Sequence, residues 1–146
     1  MFRPRRILVP VSLSPGAEGT VRAAAGLARE SGGRLLLFHV FDSRAVEDVY
    51  DLHGLKPQEV RARMRDNAEE AVERILRRTW MKGIPAAARY ADGFPADAIV
   101  AAAKAWRADL VVLARAKRSG LSHLLYGHTS DAVAREAPCA VLTLAS

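Results

Sequence analysis

The sequence predicts an α/β fold, a doubly wound parallel sheet of five strands with helices on both faces. Two observations carry this. Short apolar runs without alternation, residues 7–11 and 109–114 above all, have the composition of strands buried on both sides. Between such runs, apolar residues recur at helical spacing, so the order reads β-α-β-α-β-α-β-α-β. With right-handed crossovers, few topologies remain, and ligands in such sheets sit beyond the carboxyl ends of strands where the strand order reverses.

Each element has its own signal. Residues 7–11 form the first strand. Ser14-Pro15 then offers an N-cap and a first helical residue, Ala17, Val21, Ala24, Ala25 and Ala28 form a helical stripe, and Gly32-Gly33 closes it. Residues 35–41 are the second strand, interrupted only by His39, and residues 42–55 read as a loop. Pro57 opens a long helix with Val60, Met64, Ala68, Ala71, Val72, Ile75 and Leu76 on one stripe. Glu59–Arg63, Glu70–Arg74 and Glu73–Arg77 are spaced for ion pairs on its other side, and Gly83 and Pro85 end it. Residues 86–91 are a third strand despite alanine's poor strand propensity. Residues 95–108 form a helix with Ile99, Val100, Ala103 and Trp106 inward, residues 109–114 the fourth strand, and residues 115–128 a loop. Thr129 or Ser130 caps the last helix, Pro138 stops it, and residues 139–144 form the fifth strand.

At 146 residues the chain makes one domain, residues 1–146, too short for a two-domain enzyme. Half of the residues are hydrophobic, which excludes a disordered chain. No apolar run approaches the roughly 18 residues of a membrane span, and Cys139, the only cysteine, excludes an internal disulfide. Arg3, Arg5 and Arg6 imitate a targeting signal, but the apolar segment behind them is too short and contains Pro10. A cytoplasmic protein with no membrane partner is expected. The net charge of +6 would suit an anionic partner, but a basic balance alone specifies none, and arginines scattered over solvated helix faces are the preferred reading.

No catalytic constellation is apparent. His39, His53, His123 and His128 lack metal-ligand spacing with one another or with Cys139. His39 reads as a hydrogen-bonded core residue, Cys139 as a small buried hydrophobe, and Asp92 and Asp97 as turn caps. An enzyme is not expected. Arg61, Arg63 and Arg65 do not share one helix face, and no aromatic residues interleave with basic ones, so a nucleic-acid partner is not expected either. The most informative stretch follows strand four, from Ala114 to His128: it is rich in Arg, Lys, Ser and Gly and ends at a helix N-terminus, where backbone N–H groups can hold an anion.

These segments, Ile7-Leu8-Val9-Pro10-Val11 with Ser14-Pro15, Phe38-His39-Val40, Arg118-Ser119-Gly120-Leu121-Ser122 and Ala137-Pro138-Cys139-Ala140-Val141-Leu142, resemble the universal stress protein family over essentially the whole chain. The resemblance implies a sheet of order 3-2-1-4-5 and a homodimer through the last strand, Cys139, Ala140, Val141, Leu142, Thr143 and Leu144. Family members that bind ATP carry a G-x2-G-x9-G-[S/T] motif after strand four and an acidic residue after strand one. Here the first motif glycine is Ala114, the second is Lys117, the hydroxyl position is His128 and the acidic position is Ser12; only Gly127 is kept. Val40 matches the residue whose backbone contacts adenine.

The implied nucleotide site is therefore Pro10, Ser12, Val40, Ala114, Arg115, Lys117, Gly127, His128 and Thr129, in degraded form. Side chains at Ala114 and Lys117 narrow the space for a triphosphate, while Arg115, Lys117, Arg118 and His128 concentrate positive charge that a charge-assisted anion site could use. The expected protein is a stress-response binding or interaction protein, with an unidentified protein partner, no cofactor and no functional ATP binding. The alternative is a nucleotide-sensing switch that binds ATP or AMP weakly on a modified basic loop.

Overall fold

The computed structural model describes residues 1–42, 44, 54–115 and 129–145. Five strands, β1 (Arg6–Pro10), β2 (Arg34–Phe41), β3 (Ala86–Asp92), β4 (Leu110–Arg115) and β5 (Ala140–Ala145), form one parallel sheet in the order β3-β2-β1-β4-β5. The helices are α1 (Ala17–Ser31), α2 (Pro57–Leu76), α3 (Pro95–Trp106) and α4 (Thr129–Glu136), with a 3₁₀ turn at Thr79–Met81. The fold class and strand order are those expected.

Alternation along the strands divides the core in two. Ile7, Val9, Leu35, Leu37, Leu110 and Val112 pack with the alanine-rich stripe of α1 and with Val72 and Ile75 of α2. Leu8, Leu36, Phe38, Val111 and Leu113 pack with Ile99 and Ala103 of α3 and Val133 of α4. The inner strands are buried on both faces because a helical layer covers each. β3 forms in spite of its alanines: seven residue pairs tie it to β2, Ala88 and Tyr90 pack on the α1–α2 side, and Ala91 packs on the other. Tertiary pairing overrides propensity here.

Several boundaries differ from expectation. α1 starts at Ala17 with Gly16 as its N-cap, not at Ser14-Pro15. Ser14 is spent otherwise: its carbonyl accepts the Ala17 N–H (3.1 Å), and its hydroxyl lies 2.6 Å from Ser12 Oγ. α2 stops at Leu76 rather than running to Gly83, because Arg78 takes an extended backbone and Trp80 and Met81 turn in against the core. Of its three expected ion pairs, Glu70–Arg74 closes at 3.6 Å, the only one of the three to do so among the described residues. α3 ends at Trp106, and Arg107 adopts a left-handed C-cap (φ 58°). Its N-cap is Phe94 without a side-chain bond, and Asp97 lies in its first turn, where its charge suits the helix dipole. Val100 is half-buried and belongs to neither core cluster. Arg115 continues β4 rather than opening the loop, Thr129 and Ser130 lie inside α4, and β5 runs from Ala140 to Ala145, leaving Cys139 just before it. The predicted loops fall largely outside the described residues, at 43, 45–53 and 116–128.

Candidate functional site

The sheet forks at one place. β1 and β4 are paired only at Ile7–Leu110 and Leu8–Val111. Beyond them β1 stays with β2 as far as Pro10–Phe38, and the Val11 N–H donates to the Phe38 carbonyl (2.8 Å). β4 stays with β5 as far as Arg115–Ala145. The two halves part because β1 feeds a crossover to one side and β4 to the other, which is the topological switch point of a doubly wound sheet.

Four of the expected site residues flank this fork: Pro10 and Ser12 on the β1 side, Ala114 and Arg115 on the β4 side. Val40 lies one strand further out and packs toward α3 and α4. Thr129 begins α4, and next to it Ser130 is only 5% exposed, a buried hydroxyl that its sequence neighbourhood does not distinguish from a cap. Lys117, Gly127 and His128 lie outside the described residues.

Two groups organise the fork. His39 Nδ1 lies 2.6 Å from the Val11 carbonyl, which requires Nδ1 to carry the proton and donate it. Burial pushes the pKa of His39 below its usual value, against the opposing effect of that hydrogen bond, so the ring is a neutral strut between β2 and the end of β1. His39 is thus the hydrogen-bonded core residue expected; its partner was not legible. On the same side of β2, Phe41 meets His39 edge-on at 4.9 Å and stacks on Tyr90 at 6.0 Å. Just past β2, Arg44 binds Asp42 in a fork (2.5–3.2 Å), and this bond holds the Asp42 carboxyl below its ordinary range despite burial.

A cleft of about 190 Å³ lies between the β1–α1 turn and α2, lined by Ser12, Ser14, Pro15, Arg74 and Arg78 among others. It is smaller than the roughly 300 Å³ at which small-molecule pockets begin. Arg78 is committed to Glu18 by two bonds, which lower the Glu18 pKa and raise that of Arg78.

Among the described residues no three metal-ligating side chains cluster. Cys139 is half-buried, and burial raises its pKa, so the thiol stays protonated. The arrangement offers hydroxyls, backbone groups and arginines at a fork, which is equipment for binding.

A model of the universal stress protein family matches residues 4–144. Among curated relatives, a universal stress protein of Thermus aquaticus is 32% identical over 141 residues, covering 94% of this chain and 96% of its own. The universal stress protein YxiE of Bacillus subtilis is 29% identical, with the same shares covered. Among solved structures, protein MJ0577 superimposes with a TM-score of 0.80 at 20% identity, over 99% of this chain and 98% of its own. A universal stress protein in complex with cAMP superimposes at 0.67 and 20% identity, covering 98% of each chain. One from Archaeoglobus fulgidus in complex with dAMP gives 0.65 at 21% identity, over 97% and 98%.

Proposed function

Because the chain belongs to the universal stress protein family, we propose that it is a non-enzymatic, cytoplasmic stress-response binding protein whose fork no longer holds ATP tightly. The observation that carries this reading is the state of Ser12. Where family members that bind ATP place a carboxylate, this chain has a hydroxyl already turned to Ser14 Oγ at 2.6 Å. An exposed Ser–Ser contact is a poor substitute for a charged acceptor of nucleotide hydroxyls, since hydrogen bonds to charged groups are roughly twice as strong. Ala114, the penultimate residue of β4, stands in place of the first motif glycine and adds a side chain beside the same fork.

A second reading keeps a weaker nucleotide site. Two structural relatives were solved in complex with cAMP and with dAMP, both monophosphates, and the departures at Ala114 and Lys117 bear on the triphosphate rather than on the adenosine. Titration calorimetry separates the readings. With ATP and Mg²⁺, binding no tighter than about 0.1 mM is expected, equivalent to roughly 5.5 kcal/mol. A micromolar constant for ATP would overturn the first reading; one for AMP alone would establish the second.

Association through β5 belongs to the same proposal. Among the described residues β5 pairs only with β4 and ends the sheet. It carries no charge and no proline, and Leu142 is 38% exposed. The opposite edge strand, β3, carries Arg89 and Asp92, which guard it. A second copy pairing antiparallel along β5 about a two-fold axis would cover the unguarded edge.

A further inference from the structure

We propose that the end of the sheet where the strands begin, opposite the fork, docks onto the surface of an anionic lipid bilayer. In an all-parallel sheet every strand starts at the same end, so residues far apart in sequence are gathered there. Arg3, Arg5 and Arg6 lead into β1, Arg34 opens β2, and Lys82 lies in the approach to β3. Lys104 and Arg107 close α3, and Arg29 and Arg135 lie in the last turns of α1 and α4. All nine are exposed. Three carboxylates share this end, Glu30, Asp109 and Glu136, leaving nine cations against three anions, a net of +6. That equals the formal net charge of the whole chain, so the remaining thirteen basic and thirteen acidic residues cancel.

The charge is unpaired among the described residues, and part of it is fixed in place. Arg5 donates to the Ser31 carbonyl (2.9 Å), Arg6 to the Trp106 carbonyl (2.8 Å), and Arg29 to the carbonyls of Trp80 and Lys82 (3.0 and 3.3 Å). Among the described residues none of the nine forms an ion pair with a carboxylate. Asp109 instead accepts the backbone N–H groups of Arg5 and Arg6 (3.0–3.3 Å). Capping of helix C-termini explains part of the pattern. Three helices, α1, α3 and α4, end here, and at about −0.5 each their dipoles offset roughly 1.5 charges. Most of the +6 is left over, facing solvent. The end of α2 does not contribute, because Arg78 pairs with Glu18 in the first turn of α1.

Two apolar side chains single out a bilayer among polyanions. Phe2 is 61% exposed and Met1 fully so, directly beside Arg3. Trp106 sits at the same end, half-buried, with the Arg6 guanidinium 5.5 Å from its ring centre. Phosphates along a duplex give an exposed Met-Phe pair nothing to enter. A headgroup layer offers anions to the arginines and an acyl boundary to Met1 and Phe2, the two signals that peripheral binding needs together. No helix among the described residues is long and apolar enough to cross a bilayer. The inference is independent of what the fork binds.

Vesicle co-sedimentation of the full chain tests it. Vesicles with a third phosphatidylglycerol should bind at least about tenfold more protein than pure phosphatidylcholine, and 0.5 M NaCl should abolish the difference. Replacing Arg3, Arg34 and Arg107 by Gln should lose most of that binding; their side chains make no bond among the described residues, so the far-UV spectrum should not change. Arg61, Arg63 and Arg77 replaced by Gln remove the same charge from the α2 region and should leave binding intact. Phe2→Ser should weaken vesicle binding several-fold while leaving any duplex DNA retention unchanged. Equal binding to neutral and anionic vesicles, or equal losses in the two triple variants, would overturn the proposal. Tighter retention of duplex DNA than of vesicles, insensitive to Phe2→Ser, would overturn it in favour of a nucleic-acid face.

Discussion

The two ends of the sheet are built on opposite terms. Where the strands begin, distant segments are tied together. The Asp109 carboxylate holds the N–H groups of Arg5 and Arg6, Arg5 reaches the end of α1, Arg6 reaches the end of α3, and Ser31 Oγ donates to the Pro4 carbonyl at 2.6 Å. Where the strands finish, β1 and β4 separate after two residue pairs, and the ties among the described residues, such as Val11 N–H to the Phe38 carbonyl (2.8 Å), Gly93 N–H to the Phe41 carbonyl (3.1 Å), the His39–Val11 bond and the Ser12–Ser14 contact, run between neighbouring strands or within one turn and do not cross the fork. A parallel sheet can concentrate its cross-links at one end because every strand enters there. It can then leave the other end open for a ligand without loosening the whole.

The sharpest way to break this contrast is to disturb the tied end where it is tightest. Gly33 is buried, and a Cβ there would lie 2.6 Å from the Pro4 carbonyl oxygen and 3.1 Å from that of Arg5. Relief would require moving the lead into β1, which would strain the Ser31–Pro4 bond and the Arg34 N–H to Arg5 carbonyl bond (2.9 Å) together. Gly33→Ala should therefore cost about 2–3 kcal/mol in urea unfolding, while leaving any nucleotide affinity at the fork unchanged. A loss below about 0.5 kcal/mol would mean that this end is not where stability is held.

The strands were legible because short unalternating apolar runs admit few readings; crossover handedness left a small set of topologies, and the family resemblance supplied the order among them. The cross-ties were not. Arg5 and Asp109 are 104 positions apart, and nothing local marks either as a partner. Ser14-Pro15 misled for the converse reason: it has the composition of a helix start, but the Ser14 hydroxyl turns back to Ser12, and α1 waits until Ala17. The placement of the charge was not legible either. Basic residues at 3, 34, 82, 107 and 135 look scattered along the chain, and only the common starting end of parallel strands collects them. Of the candidate site, the fork follows from topology, and the departures at Ser12 and Ala114 follow from the family resemblance. The His39–Val11 strut does not, because an apolar strand context predicts that a histidine will find a partner without saying which.

That strut gives a pH test of the open end. The folded-state pKa of His39 lies below the unfolded value of about 6.5, because burial disfavours the charged ring. Above that pH the ring is neutral in both states, and its bond to Val11 contributes in full. As the pH falls, the unfolded chain takes up the proton first, so this contribution is lost as pH drops from about 6.5 through the folded pKa. Comparing urea midpoints at pH 7 and pH 5, the wild type should lose more stability than His39→Asn, since the other three histidines are common to both. Equal losses would show that the ring is not held neutral and that the fork has no strut.

The smallest expected effect on stability is at Ser12, and it sharpens the contrast most directly. The side chain is exposed, and among the described residues its one hydrogen bond is to Ser14 Oγ, which water can replace. Ser12→Asp should thus change unfolding free energy by no more than about 0.5 kcal/mol, the range of surface substitutions. A carboxylate at that position can accept a charge-assisted bond from a nucleotide hydroxyl, where the present hydroxyl is turned to its neighbour. An increase in AMP affinity of about tenfold, or roughly 1.4 kcal/mol, is expected by calorimetry. Gly33→Ala and Ser12→Asp then form a crossed pair: the first should move stability and not binding, the second binding and not stability. If Ser12→Asp instead destabilised the protein by more than 1 kcal/mol and left AMP affinity unchanged, the β1–α1 turn would be a structural corner, and the ligand-facing end of the sheet would have to be sought elsewhere.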